Sequence, residues 1–149
     1  MSCKTLPGLL YVEYIRVPEL TLFPKKIIVP GDTVSAIGNW TNIRLANIAS
    51  CEYTSERTDA GLVYTTRING ITYESEKQDN GMQHILQTDF HCYRITDVYR
   101  NEYLIGIDQK PFPEIVFTPS NESSPAGMRA VNFEITWIST LPPIENVHL

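Results

Sequence analysis

At 149 residues the chain is one domain's worth, long enough to bury a core without disulfide or metal staples. Ordinary hydrophobic content and modest charge set it apart from disordered chains, and no run approaches the ~18 apolar residues of a membrane helix. A formal net charge of −5, with no basic run longer than Lys25-Lys26, argues against sequence-specific nucleic-acid binding, which takes a basic stripe. The same charge is compatible with a lumen past which DNA slides without sticking.

Leu9-Leu10-Tyr11-Val12 is too short for a secretion signal, and Glu13 and Arg16 break the apolar run. The expectation is residence in the cytosol or export by lysis. Cys3, Cys51 and Cys92 are odd in number and widely spaced, so no disulfide framework is expected. Cys51 and Cys92 each fall within a strand pattern, where a thiol serves as a small hydrophobe.

In chain order, Leu9 to Val17 reads as a first strand, apolar on both faces and ended by Pro18. Leu20 to Pro30, bracketed by prolines, reads as a loop holding a short edge strand at Lys26-Ile27-Ile28-Val29. Pro30-Gly31-Asp32 signals a turn. Thr33 to Asn47 has no clean period, and Trp40 within it is either a core anchor or a contact residue. A strand pattern returns from Ile48 to Glu56, then a polar corner at Thr58-Asp59-Ala60-Gly61. Leu62 to Ile68 and Ile71 to Glu76 are rich in β-branched and aromatic residues. Asn69-Gly70 between them is a strong hairpin signal. The alternative is one long strand bent at Gly70, with the hairpin corner at Asp59-Ala60-Gly61.

Asn80-Gly81-Met82-Gln83 has the form of a capping box. Met82, Ile85, Leu86 and Phe90 then line one face of a short helix. From His91 to Tyr99 the period becomes two, with Tyr93, Ile95 and Tyr99 opposite Cys92, Thr96 and Val98. The polar corner Arg100-Asn101-Glu102 leads into a strand from Tyr103 to Ile107. Gln109 to Pro125 is a long proline-rich loop, of a length that tends to be functional. Its apolar residues either form a short strand or reach a neighbour. Ala130 to Ser139 is the cleanest strand, with Val131, Phe133, Ile135 and Trp137 on one side, and Pro142-Pro143 stops it. The sum is about seven to nine strands and one short helix. The expected fold is mainly β: a single-domain antiparallel β-sandwich or barrel with one short α-helix packed against it, residues 1–8 serving as an arm and residues 109–125 as a long loop.

Chemistry is sparse. His84, His91 and His148 lack metal-ligand spacing with the cysteines, and no nucleophile elbow, P-loop or dinucleotide fingerprint appears. No catalytic residue, cofactor or metal site is expected. Carboxylates such as Glu13, Glu52, Asp97 and Glu134 are scattered along strand faces, where they are commonly solvated or blunt an edge. Asn39-Trp40-Thr41 and Asn121-Glu122-Ser123 match the glycosylation pattern without a secretion signal to support them. Eight tyrosines, all in predicted strands, with five phenylalanines and two tryptophans, either fit half-buried pleated surfaces or line an interface.

The layout carries a resemblance. An acidic turn with glycine (Asp59-Ala60-Gly61), a polar strand, the short helix and a strand pair ending in Leu104-Ile105-Gly106 succeed one another. A proline- and serine-containing loop comes next, then a last strand running into Pro142-Pro143. Over residues 50 to 143 this is similar to virion proteins of phages of Bacteroides-like bacteria, with a fold like tail-tube and tail-terminator subunits. The chain departs from that pattern at Asn101-Glu102, where Asn-Gly is expected. The resemblance implies a non-enzymatic structural subunit of a phage tail or neck, located in the virion and assembled in the host cytoplasm. Its partners would be copies of itself in a ring or tube for DNA passage, and other tail or neck proteins. Sheets of such subunits join edge to edge and rings stack through loops. The interface residues this implies are Phe23, Lys25 and Lys26 in the first loop and Phe112, Ile115 and Phe117 in the second, with Trp40. A carbohydrate-binding or adhesive β-sandwich is the competing expectation, with Trp40, Trp137 and the tyrosines as stacking platforms.

Overall fold

Alternation from Val131 to Ser139 turns Val131, Phe133, Ile135 and Trp137 to one face of a strand and Asn132, Glu134 and Thr136 to the other. The rest of the chain packs over that apolar face. A computed structural model describes residues 2–75, 82–120 and 127–148. The strands are β1 (Ser2–Thr5), β2 (Leu9–Arg16), β3 (Thr21–Phe23), β4 (Thr33–Ile37), β5 (Thr41–Ile43) and β6 (Ser50–Thr58). After β7 (Gly61–Ser75) and the helix α1 (Met82–Thr88) come β8 (His91–Asp97), β9 (Glu102–Ile105), β10 (Glu114–Pro119), β11 (Met128–Ser139) and β12 (Ile144–Asn146).

They form two sheets. One has five antiparallel strands in the order β1-β6-β7-β11-β10. The other has seven, in the order β3-β4-β12-β9-β8-β2-β5, antiparallel except where β12 runs parallel to β4. The architecture is an open β-sandwich, and the barrel alternative is set aside because neither sheet closes on itself. Val12, Tyr93 and Ile95 from the larger sheet join Cys51, Ile68, Phe133, Ile135 and Trp137 from the smaller in one buried cluster. Each large apolar side chain so buried stabilises the fold by about 1.5–3 kcal/mol. The Cys51 and Cys92 thiols lie in this core, and burial pushes the pKa of each up to about 12.

The open question at Asn69-Gly70 resolves as one long strand. Residues 61–75 are continuous, and the hairpin corner falls at Asp59-Ala60, where Thr58 pairs with Gly61. Gly61, at φ +114°, takes the left-handed backbone such a corner needs, and the Thr58 hydroxyl accepts from Ala60 N at 3.2 Å and donates to Gly61 O at 2.8 Å. Gly70 sits instead under the Phe133 ring, as its cross-strand partner.

Three other expectations need correction, and one open alternative is decided. The edge strand expected at Lys26 to Val29 is irregular, because Pro24 and Pro30 deny it ladder partners, and the strand lies earlier, at Thr21–Phe23. Residues 2–8 are no free arm: β1 pairs along β6, and Leu6 N and Leu9 N then donate to Cys51 O and Ala49 O as the chain crosses to the other sheet. Of the two alternatives for the apolar residues of the 109–125 loop, the short strand forms: Glu114–Pro119 is β10, paired along its whole length with β11. Among the described residues twelve strands replace the seven to nine expected, since β3, β5 and β12 are too short for any period to show. The Asn80 cap of the helix falls outside the described residues. Within α1, Leu86 is buried and Met82 packs on the core, while Ile85 is exposed, as is Phe90 just beyond the helix.

Candidate functional site

Prolines shape the segment between β3 and β4. Pro24 and Pro30 flank a segment whose backbone leaves the sheet, with Ile28 turned against the core and its neighbours Ile27 and Val29 turned outward. Phe23, Lys25 and Lys26 lie exposed along this stretch. The Lys25 ammonium lies 5.8 Å from the Phe23 ring centroid, and Lys26 reaches Asp32 at 3.4 Å. Asp32 also accepts from Val29 N at 2.9 Å, and that bond first, then Lys26, holds its carboxyl below the usual range. Lys25 has no carboxylate partner among the described residues. Ile27, between these groups, is 86% exposed, and Val29 is also exposed. A groove of ≈ 520 Å³ is lined by this loop together with Ile107, Asp108 and Gln109.

The second loop distributes its residues differently. Phe112 is half-buried, its ring 5.0 Å from that of Phe90. Ile115 is a correction to the interface assignment: it faces inward opposite Ile135 and is buried in this chain's own core. Phe117, opposite Phe133, is partly buried against the same core. Alternation along β10 then sends Val116 outward, 59% exposed.

Trp40 belongs to a polar cluster. Its ring lies 4.8 Å from the Arg94 guanidinium, which donates to both Glu13 oxygens at 2.9 Å. Glu102 accepts from Asn146 Nδ2 at 3.1 Å and meets His148 Nε2 at 2.7 Å. A neighbouring cleft of ≈ 480 Å³ is lined by Tyr11, Glu13, Asn42, Thr96, Arg100 and Glu102. Trp137 cannot be a stacking platform, since it is fully buried with its indole N–H donating to Pro111 O at 3.0 Å.

The histidines stay apart: His84 is exposed on α1, His91 is buried and His148 is on Glu102. Among the described residues no group of three or more His, Cys, Asp or Glu stands close enough to hold a metal, and no helix is long and apolar enough to cross a membrane.

No family model, curated protein or solved structure matches this chain. The site is therefore read from its own chemistry.

Sequence reasoning misses several exposed apolar groups. It assigns Ile27 and Val29 to an edge strand and favours the inward neighbours of Val116 over Val116 itself. Alternation applied to Glu114–Pro119 finds Val116, because Ile115 and Phe117 share one face and exclude it. For Ile27 the signal is the pair of flanking prolines, which deny the segment a place in the sheet.

Proposed function

We propose that the chain is a non-enzymatic structural subunit of a phage tail or neck, assembling with copies of itself into a ring or tube through which DNA passes. The observation that carries the assembly half of this reading is the β3–β4 loop, which holds Ile27 and Val29 in solvent beside two lysines. Exposed apolar groups rimmed by charge mark interaction surfaces. The sandwich also ends in strands with a free edge, such as β1, which would join sheets between subunits. The tail or neck assignment itself rests on the layout resemblance over residues 50 to 143, and with it go the virion location and the other tail or neck partners. The test is solution mass across a concentration series, with negative-stain images of the heaviest fraction. Rings or tubes are expected, and a strict monomer at high concentration would count against assembly.

A carbohydrate-binding or adhesive module is the second reading, favoured by the cleft beside Tyr11, where a ring, an amide and two carboxylates converge. It expects a monomer that binds glycans and loses them on Tyr11→Ala.

A further inference from the structure

The outward face of the five-stranded sheet is built in cross-strand rows. Ser50, Asn69, Glu134 and Val116 lie side by side on β6, β7, β11 and β10, and Ile71, Asn132 and Thr118 form the next row. Together with Asn47 and Ile48 these rows line a groove of ≈ 670 Å³. Ile48 is 64% exposed, so with Val116 the groove offers apolar surface at both ends of a polar floor. The row on the other side, Glu52, Arg67, Thr136 and Glu114, adds two exposed carboxylates. Arg67 is the facing cation, 3.8 Å from Glu134 and itself half in solvent. The face is thus apolar and acidic, with no element of the described chain packed over these rows.

The β3–β4 loop is apolar and basic. Ile27 and Val29 project from it, Lys25 has no carboxylate partner among the described residues, and Lys26 shares Asp32 with a backbone N–H. The loop belongs to the seven-stranded sheet and the groove to the far side of the five-stranded one, so one copy does not fill its own groove.

We propose that the β3–β4 loop of one copy docks into the Ile48–Glu134–Val116 groove of the next. Ile27 and Val29 would enter beside Ile48 and Val116, with Lys25 and Lys26 facing Glu134 and Glu114. Two different patches on one chain make a head-to-tail contact, which closes into a ring when the rotation per subunit divides a full turn and otherwise runs on as a filament. Complementary charge sets the register and excludes loop-to-loop pairing, which would bring lysines together. This inference rests on the self-assembly reading and names the two surfaces it would use.

The test uses the full chain in sedimentation velocity, with the thermal midpoint of each variant confirming that it is folded. Ile27→Asp spoils the loop and Val116→Arg spoils the groove; both positions are exposed. Each variant alone is expected to associate at least tenfold more weakly than the wild type. Mixed one to one, they should form heterodimers and stop there, because the first keeps a good groove and the second a good loop. Lys25→Glu and Glu134→Lys provide a second pair, each weak alone and restored by mixing. If the wild type assembles and Val116→Arg assembles equally well, the groove is not the partner, although the assembly reading stands. Loss in both variants without rescue on mixing would likewise overturn head-to-tail docking. A wild type that stays monomeric overturns both readings together.

Discussion

Gly70 occupies a place where even one methyl group is too many. A Cβ there would come within 2.6 Å of Phe133 Cζ and 2.9 Å of Cε1, with Ala49 Cβ behind it at 3.2 Å. Gly70→Ala should cost about 1–3 kcal/mol by overpacking, read as a lower urea midpoint at unchanged m-value. Gly70→Ala combined with Phe133→Leu should recover part of that loss; if it recovers none, the ring is not what the glycine accommodates. His91 presents a different local problem. It is fully buried, its Nδ1 faces Asp89 O at 3.2 Å, and its Nε2 has no partner among the described residues. Burial is the main cause that holds the imidazole below its ordinary 6.5, outweighing the pull of Asp89 in the other direction. The folded value therefore lies below the unfolded one, and below about pH 6.5 the unfolded chain binds the extra proton more readily. The stability this group contributes is present above that pH and is lost as pH falls toward the folded value. The urea midpoint should drop as pH falls through about 6.5 toward the lower folded value, and His91→Gln should flatten that slope. An unchanged slope in the variant would move the titration to another group.

At the scale of elements, the β8–β9 corner is organised by one buried carboxylate. Asp97 accepts from Tyr99 N and Asn101 N at 2.9 Å each and from Asn101 Nδ2 at 3.4 Å, while Arg100 N donates back to Asp97 O at 3.0 Å. This network holds Arg100 at φ +69°, the left-handed region that favours glycine. Asp97→Ala strands two backbone donors and should destabilise by about 2–4 kcal/mol in chemical denaturation. Arg100→Gly should go the other way, by up to about 1 kcal/mol, since the strain is relieved. A loss in Arg100→Gly would mean that its side chain, 5.9 Å over the Tyr11 ring, matters more than its backbone. The same corner shows what a single sequence conveys about elements. Tyr93 and Ile95 announce a strand by period two, but Tyr99, which the same period includes, lies in the turn because Asp97 has already closed the ladder. Long alternating strands such as β11 and β7 are legible, whereas β3, β5 and β12 are not. Their three residues each are placed by neighbours distant in sequence, as when Asn146 Oδ1 accepts from Ala36 N at 2.9 Å.

For the molecule as a whole, an apolar contact edged by opposite charges should respond to salt. Raising ionic strength from about 0.05 M to 0.5 M shortens the Debye length severalfold and should shift assembly toward smaller species. Light scattering would measure it, and indifference to salt would leave the apolar groups alone responsible. Of the surface involved, the loop with Phe23, Lys25 and Lys26 is readable from its prolines and lysines. The groove is not, because it exists only once β6, β7, β11 and β10 align Ser50, Asn69, Glu134 and Val116 across four distant stretches of chain. The strand order also bears on synthesis. Among the described residues, β3 and β4 join the ladder of the larger sheet through β12, whose residues 144–146 lie between β4 and β9. The ribosome delivers residues 21–37 more than a hundred positions before that strand, and until it arrives the β3–β4 hairpin has no sheet to join. Nascent chains crowded on one messenger would thus carry the docking loop without the frame that aims it. Competence to polymerise should be postponed until residue 146 has emerged, which would protect a chain that docks head to tail as proposed during its own translation.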